Sequence, residues 1–184
     1  IISGMSVVYK YCISVEQIIK TLTLEEMAFT DILTGLKNRT AFEEKQKEII
    51  TQENEKKVKY KCGLIIFDLN GLKEINDKYG HQAGDILLRN FSECLRSVFP
   101  IQKIYRLGGD EFCVLYENIT EKAIENKILR LKIYTDNKGI SVAHGWGTFN
   151  EKIDKTFADF FKRIDMKMYS FKQIQKQKPL EVRD

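Results

Sequence analysis

The residues best suited to chemistry are acidic and stand at two points of the chain. Asp68 lies near the end of a continuous apolar run, Gly63-Leu64-Ile65-Ile66-Phe67-Asp68-Leu69. A carboxylate there is costly unless it meets a cation or hydrogen-bond donors. It reads either as a cap for the segment starting near Gly71 or as a ligand for Mg²⁺, which takes one or two carboxylates together with phosphate oxygens. A calcium loop is excluded, because its glycine would fall on Lys73. The second point is Gly108-Gly109-Asp110-Glu111. Two glycines let a ligand approach the backbone, and two acids follow. Successive strand residues face opposite ways, so Asp110 and Glu111 need not share a site. If this segment lies beside the Asp68 strand, Asp68 and Asp110 can hold metal together. Two metals about 3.5–4 Å apart serve in-line phosphoryl or nucleotidyl transfer.

Lys73, Asn76, His81 and Asp85 lie between these points. Lys73 suits a polyphosphate. Asn76 and Asp85 suit a purine edge, and a carboxylate accepting two N–H groups prefers guanine, which offers the N1–H and amino pair. Each also has a plain reading as surface lysine, cap, core histidine or helix-end acid. The only histidines are His81 and His144, which leaves little room for histidine acid–base work. There is no GxxxxGK[ST] phosphate loop, and no HExxH, GxSxG or Cys–His nucleophile pattern.

The elements that must position these residues follow from periodicity. Residues 13–30 read as a helix, with Val15, Ile18, Leu22 and Phe29 at rough three-to-four spacing and Glu25 interrupting. It either packs on its own domain or ends a coiled stalk. Residues 40–61 read as a helix followed by a charged loop. The apolar run 63–69 is a central strand covered on both faces. Helical patterns follow from Leu72 to Tyr79 and from about Ala83 to Val98, the latter with Leu87, Phe91, Cys94, Leu95 and Val98 on one face and Pro100 as its stop. Residues 102–106 and 111–117 form a hairpin around the two glycines. A helix over 120–134, a strand over 139–148 and a last helix over 155–175 complete the chain. The order predicts an α/β sandwich (α+β) with at least one antiparallel hairpin, not a doubly wound sheet.

Composition sets the class. The chain has 184 residues, 43% hydrophobic and 30% charged, as expected for one compact domain with a short appendage. Its formal net charge of +4 suits an anionic ligand such as a nucleotide and is too small to argue for nucleic acid. Cys12, Cys62, Cys94 and Cys113 form no CxxC pair, which argues against a zinc site, and Cys62, Cys94 and Cys113, each beside apolar residues, read as buried thiols in a reducing, cytoplasmic setting. No apolar run approaches the roughly 18 residues of a membrane span. A chain that begins at Ile1 reads as a piece of a longer protein, with room for an upstream sensor or anchor.

Three ordered motifs together resemble the GGDEF family of bacterial diguanylate cyclases. Asp31-Ile32-Leu33-Thr34-Gly35-Leu36-Lys37-Asn38-Arg39 is similar to its opening motif. Phe67 to Asp85 is similar to its metal and guanine segment, and Arg106-Leu107-Gly108-Gly109-Asp110-Glu111-Phe112 to its signature. The resemblance covers residues 28–178. It leaves 1–27 as a helix or linker ending an upstream stalk or sensor module, and 179–184 as a tail. It implies a palm-like nucleotidyl cyclase fold, a central mostly antiparallel sheet flanked by helices. It also implies a reaction in which two GTP condense to cyclic di-GMP with release of two pyrophosphates, one GTP per protomer of a homodimer. Two Mg²⁺ (or Mn²⁺) per site would be held by Asp68, Asp110, Glu111 and the Leu69 carbonyl. Asp110 would be the base for the 3′-hydroxyl, Glu111 would support the metal, and Lys73 would stabilise the transition state. Asn76, His81 and Asp85 would contact substrate, beside Leu72, Gly108 and Gly109. Lys172 and Lys176 would meet phosphates, with Lys176 standing where an Arg is usual and lacking its bidentate fork.

Two departures stand out. Asn70 replaces a frequent second Asp. The inhibitory product motif R-x-x-D is absent, its place taken by Phe99-Pro100-Ile101-Gln102, so feedback through that surface is expected to be weak or missing. The competing readings are a catalytically inactive GTP-binding regulatory module and a cyclase with an adenine-containing product, which Asp85 disfavours. No nucleic acid partner and no membrane contact by this segment are expected.

Overall fold

The computed structural model describes residues 11, 14–18, 20, 27–56 and 62–177. The central run becomes β1 (Gly63–Leu69), and all seven of its residues are buried, as a strand covered on both faces must be. Its side chains divide strictly by parity. Ile65, Phe67 and Leu69 enter one apolar layer, and Leu64 and Ile66 enter the other. Strands β2 (Ile104–Gly108), β3 (Glu111–Tyr116) and β4 (Val142–Thr148) complete a sheet of order β2-β3-β1-β4, every neighbour antiparallel.

Two helical layers cover this sheet. Helix α1 (Arg39–Lys56) and the last helix, α5 (Phe157–Gln177), close one face. There Ala41, Phe42 and Ile49 of α1 join Phe157, Phe160, Ile164 and Met168 of α5. Helix α3 (His81–Arg96) and helix α4 (Glu121–Asn137) close the other, through Leu88, Phe91, Leu95, Ile124 and Leu131. The short helix α2 (Leu72–Tyr79) has no buried residue of its own and lies against α3. The sandwich and its antiparallel hairpin are thus as expected.

Boundaries differ where turns intervene. Residues 101–103 form a 3₁₀ turn after Pro100, closed by the Lys103 N–H on the Pro100 carbonyl at 2.9 Å, so β2 starts at 104 rather than 102. Helix α4 runs to Asn137, and the Ile140 N–H returns to the Thr135 carbonyl at 2.9 Å, which delays β4 to 142. Helix α3 starts at His81 and stops at Arg96, the chain continuing as a turn to Val98.

Cys62, Cys94 and Cys113 are buried thiols, and Cys12 lies outside the described residues. Of the helix expected over 13–30, residues 13, 19 and 21–26 also lie outside them; residues 14–18, 20 and 27–29 are helical. The tail 179–184 is not described. Among the described residues no helix is long and apolar enough to cross a membrane.

Candidate active site

The parity of β1 carries Asp68 to the face of Leu64 and Ile66, beneath α5. It is 7% exposed there. Antiparallel register sets Glu111 directly opposite it on β3. The question of which hairpin acid shares a face with Asp68 is therefore settled in favour of Glu111. The cation that a buried carboxylate requires comes from α5, whose Lys172 Nζ donates to Asp68 Oδ1 at 2.5 Å. Asp68, Glu111, Asp165, Tyr169, Lys172 and Lys176 line one cleft of about 540 Å³.

Burial, then Asp110, Asp165 and Asp68, push the Glu111 carboxyl above its ordinary value, and the Arg39 guanidinium opposes them. The Asp110 backbone carbonyl accepts from the Leu69 N–H at 3.0 Å, which ties the hairpin tip to the end of β1. The tip needs its glycines, since Gly109 has φ +51° and Gly108 +143°.

The opening motif holds this hairpin from outside. Lys37 pairs in parallel with Tyr105 along the edge of β2. Arg106 donates from Nη1 to both Asp31 oxygens at 3.1 and 3.2 Å, and from Nη2 to the Gly109 carbonyl at 2.8 Å. Burial would raise the Asp31 carboxyl, but hydrogen bonds from Thr34 and the Arg106 guanidinium outweigh it and hold it below the usual range. Arg39 Nε donates to the Leu107 carbonyl at 2.6 Å, and its Nη2 lies 3.9 Å from Glu111.

A second cluster forms on α2 and α3. Gly84 lets the two helices close, because a Cβ there would collide with Asn76 Oδ1 and approach Leu72 Cδ1 to 3.1 Å. Asn76 Oδ1 is buried without a hydrogen-bond partner, against Gly84, the residue that precedes Asp85 in the chain. Leu72 is half-buried and packs on the core. Lys73 on the first turn of α2 and His81 at the start of α3 are exposed. Of the predicted residues, Asp68, Glu111, Lys172 and Lys176 share the cleft, Leu72, Lys73, Asn76, His81 and Asp85 lie on α2 and α3, and Asp110 sits with Gly108 and Gly109 at the hairpin tip.

Asn70 does not join the carboxylates. Its Nδ2 donates to Ser141 Oγ at 3.0 Å and to Gln175 Oε1 at 2.9 Å. Sequence reasoning left Asp31, Arg39 and Arg106 within quoted motifs but without roles. It missed Asp165 and Gln175. The signal for Asp165 was helical spacing, since 165, 169, 172 and 176 follow one stripe of α5.

Residues 28–178 match the family described as Diguanylate cyclase, GGDEF domain. An uncharacterized membrane protein of Staphylococcus epidermidis is 32% identical over 146 residues, 73% of this chain and 40% of that protein. The diguanylate cyclase DgcS of Shewanella oneidensis is 34% identical over 106 residues, 55% of this chain and 35% of that protein. The chain therefore spans well under half the length of these relatives. In fold it is similar to the coiled coil and GGDEF domain of DgcB from Caulobacter crescentus, with TM-score 0.77, 21% identity, and coverage of 93% of this chain and 95% of that one.

Proposed function

The chain belongs to the GGDEF diguanylate cyclase family, and on that footing we propose that it condenses two GTP into cyclic di-GMP with release of two pyrophosphates. The observation that carries this reading is the cross-strand pair Asp68 and Glu111 in one cleft with two α5 lysines. Carboxylates beside phosphate-binding cations are what nucleotidyl transfer needs.

The residues fit a divalent cation of the Mg²⁺ type. Among the described residues no three His, Cys, Asp or Glu side chains stand together as a cage. A pair of carboxylates completed by a carbonyl and phosphate oxygens suits Mg²⁺ rather than a metal that demands a full protein shell. Asp68, Glu111 and the Leu69 carbonyl would hold Mg²⁺ (or Mn²⁺), two per site, with Asp110 at the adjoining hairpin tip. Bound there, the metal supplies positive charge at the α-phosphate and lowers the pKa of the ribose 3′-hydroxyl.

The chain's own residues do the rest. Asp110, at the hairpin tip, accepts the 3′-hydroxyl proton as the oxygen attacks the α-phosphate of the second GTP. Lys73 balances charge on the transferring phosphorus, and Lys172 and Lys176 take the pyrophosphate. The orphaned Asn76 acceptor and Asp85 read the guanine edge, with His81 at the rim. Each site carries one GTP, so two copies face each other and activity rises faster than linearly with protein. In the longer protein this domain is the output of an upstream sensor, acting on the cytoplasmic side even where the whole protein is anchored in a membrane.

The test is Mg²⁺-dependent GTP turnover at low and high protein concentration, with products separated by chromatography. Cyclic di-GMP formed with superlinear concentration dependence and lost in Asp110→Ala is the expected result. GTP bound at every concentration without product would replace this reading with that of an inactive regulatory module.

A further inference from the structure

We propose that Gln175, acting with Asn70, is a positioning residue that sets the spacing between the two cationic groups of the site, Lys73 on one side and Lys172 with Lys176 on the other. The inference rests on reading the cleft as a nucleoside triphosphate site.

Gln175 uses both ends of its amide. Its Oε1 accepts from Asn70 Nδ2 at 2.9 Å, and its Nε2 donates to the Val142 carbonyl at 3.2 Å. Asn70 is itself fixed to β4's entry twice more, by its N–H on the Ser141 carbonyl at 3.0 Å and by Nδ2 on Ser141 Oγ at 3.0 Å. The loop after β1, the entry of β4 and the last turns of α5 are thereby joined in one hydrogen-bonded unit. Both amides are half-buried, where such bonds resist competition from water.

The position of the unit gives it a role. Gln175 lies three residues after Lys172 and one before Lys176, so all three ride on adjacent turns of α5. Asn70 lies three residues before Lys73. A polyphosphate held by lysines from both elements spans a gap that no covalent connection controls, because positions 70 and 175 are 105 residues apart in sequence. Lys172 also reaches β1 through Asp68, but that bond engages a carboxylate the proposed metal would claim. The amide bridge involves no charge and keeps its partners when metal and nucleotide arrive.

The bridge also accounts for Asn at position 70. An Asp there is acceptor-only. It could not donate to Gln175 Oε1, and turning the Gln175 amide to donate to it would set Oε1 against the Val142 carbonyl. Asn70 is therefore a required donor rather than a weakened metal ligand.

The experiment compares calorimetric binding of a non-reacting α,β-methylene GTP analogue with binding of GMP, which lacks the outer phosphates, for wild type, Gln175→Ala, Asn70→Ala and the double variant, with melting temperatures recorded. Loss of one such hydrogen-bonded tie weakens triphosphate binding about five- to tenfold. GMP binding stays unchanged, and the double variant is no worse than either single one. Equal losses for both nucleotides, or triphosphate binding within about twofold of wild type, would overturn the inference. Should Gln175→Ala fail to fold, Asn70→Asp cuts the same bridge from the other side and carries the same expectation. A wild-type protein that bound neither nucleotide would overturn the reading of the cleft itself.

Discussion

Lys172→Met replaces an ammonium by an apolar chain of similar length at the point where the site holds its own charge balance. In the structure Lys172 Nζ lies 2.5 Å from Asp68 Oδ1, and the two side chains are 22% and 11% exposed. Removing one partner of a fully buried ion pair costs about 3–5 kcal/mol, because the other charge is left without compensation. The cleft leaves part of Lys172 open to water, so about 2 kcal/mol is the better figure here. In a folded unit of this size that is a fall of roughly 4–8 °C in melting temperature. Glu111 opposite and Asp165 in the same cleft add to the uncompensated negative charge. The same variant should bind divalent metal more tightly in the absence of nucleotide, on the order of tenfold, since the cation no longer has to displace an ammonium from Asp68. Saturating Mg²⁺ should then restore most of the lost melting temperature by mass action. GTP binding should weaken, because the phosphates lose a cation. The assays are thermal melting in chelator and across a Mg²⁺ series, and a nucleotide-free Mn²⁺ titration read by electron paramagnetic resonance. A variant that melts within about 1 °C of wild type in chelator, or binds Mn²⁺ no better, would refute the claim that Lys172 neutralises Asp68.

Gly84→Ala should displace Asn76, whose Oδ1 occupies the space a Cβ needs, and raise the KM for GTP about tenfold with little loss of melting temperature; steady-state kinetics beside a melt separates the two. Arg106→Ala removes the Asp31 ion pair and the bond to the Gly109 carbonyl, and chemical denaturation should show a loss of about 2–3 kcal/mol together with turnover. Arg106→Lys should recover only part of either, lacking the fork that holds both groups. His144 is pushed by burial to about 4, between the rings of Phe67 and Phe171. Its folded value lies below the unfolded 6.5, so the unfolded chain binds the proton first as pH falls. Stability is full above about pH 6.5 and declines toward pH 4 by up to about 3 kcal/mol, and His144→Phe should flatten that part of a melting-temperature profile. Cyclic di-GMP should not inhibit turnover tightly, since Phe99 is buried in the core and Gln102 is uncharged; a product titration with half-inhibition far below substrate affinity would contradict this.

Much of the fold was legible because the apolar pattern is local and strong. The run 63–69 has no polar residue before Asp68, so a doubly covered strand was its only comfortable state, and β1 is buried throughout. The stripe of α3 and the phenylalanines of α5 follow helical spacing, and both helices lie where that spacing put their apolar faces. The boundaries were less legible. Whether 101–103 and 138–141 extend strands or turn depends on backbone bonds to Pro100 and Thr135, which propensity does not report. Among the candidate residues, Asp68, Asp110 and Glu111 stood out by type and by motif, and Lys172 and Lys176 only through the family resemblance. Asp165 and Gln175 did not, because a lone acid or amide on a helix ordinarily faces solvent.

Residue type and local period determined which groups are acidic, which runs are buried, which turns need glycine, and the family to which residues 28–178 belong. These are properties of neighbours along the chain. Only the packed structure decided which groups meet. Glu111, rather than Asp110, faces Asp68, because antiparallel register pairs those two positions on one side of the sheet. Lys172 balances Asp68 across 104 residues, Arg106 reaches Asp31 across 75, and Asn70 meets Gln175 across 105. No period spans such separations. They are set when β1, the hairpin, β4 and α5 bury their apolar faces together, and the polar groups at the rim take the partners that this closure leaves within reach.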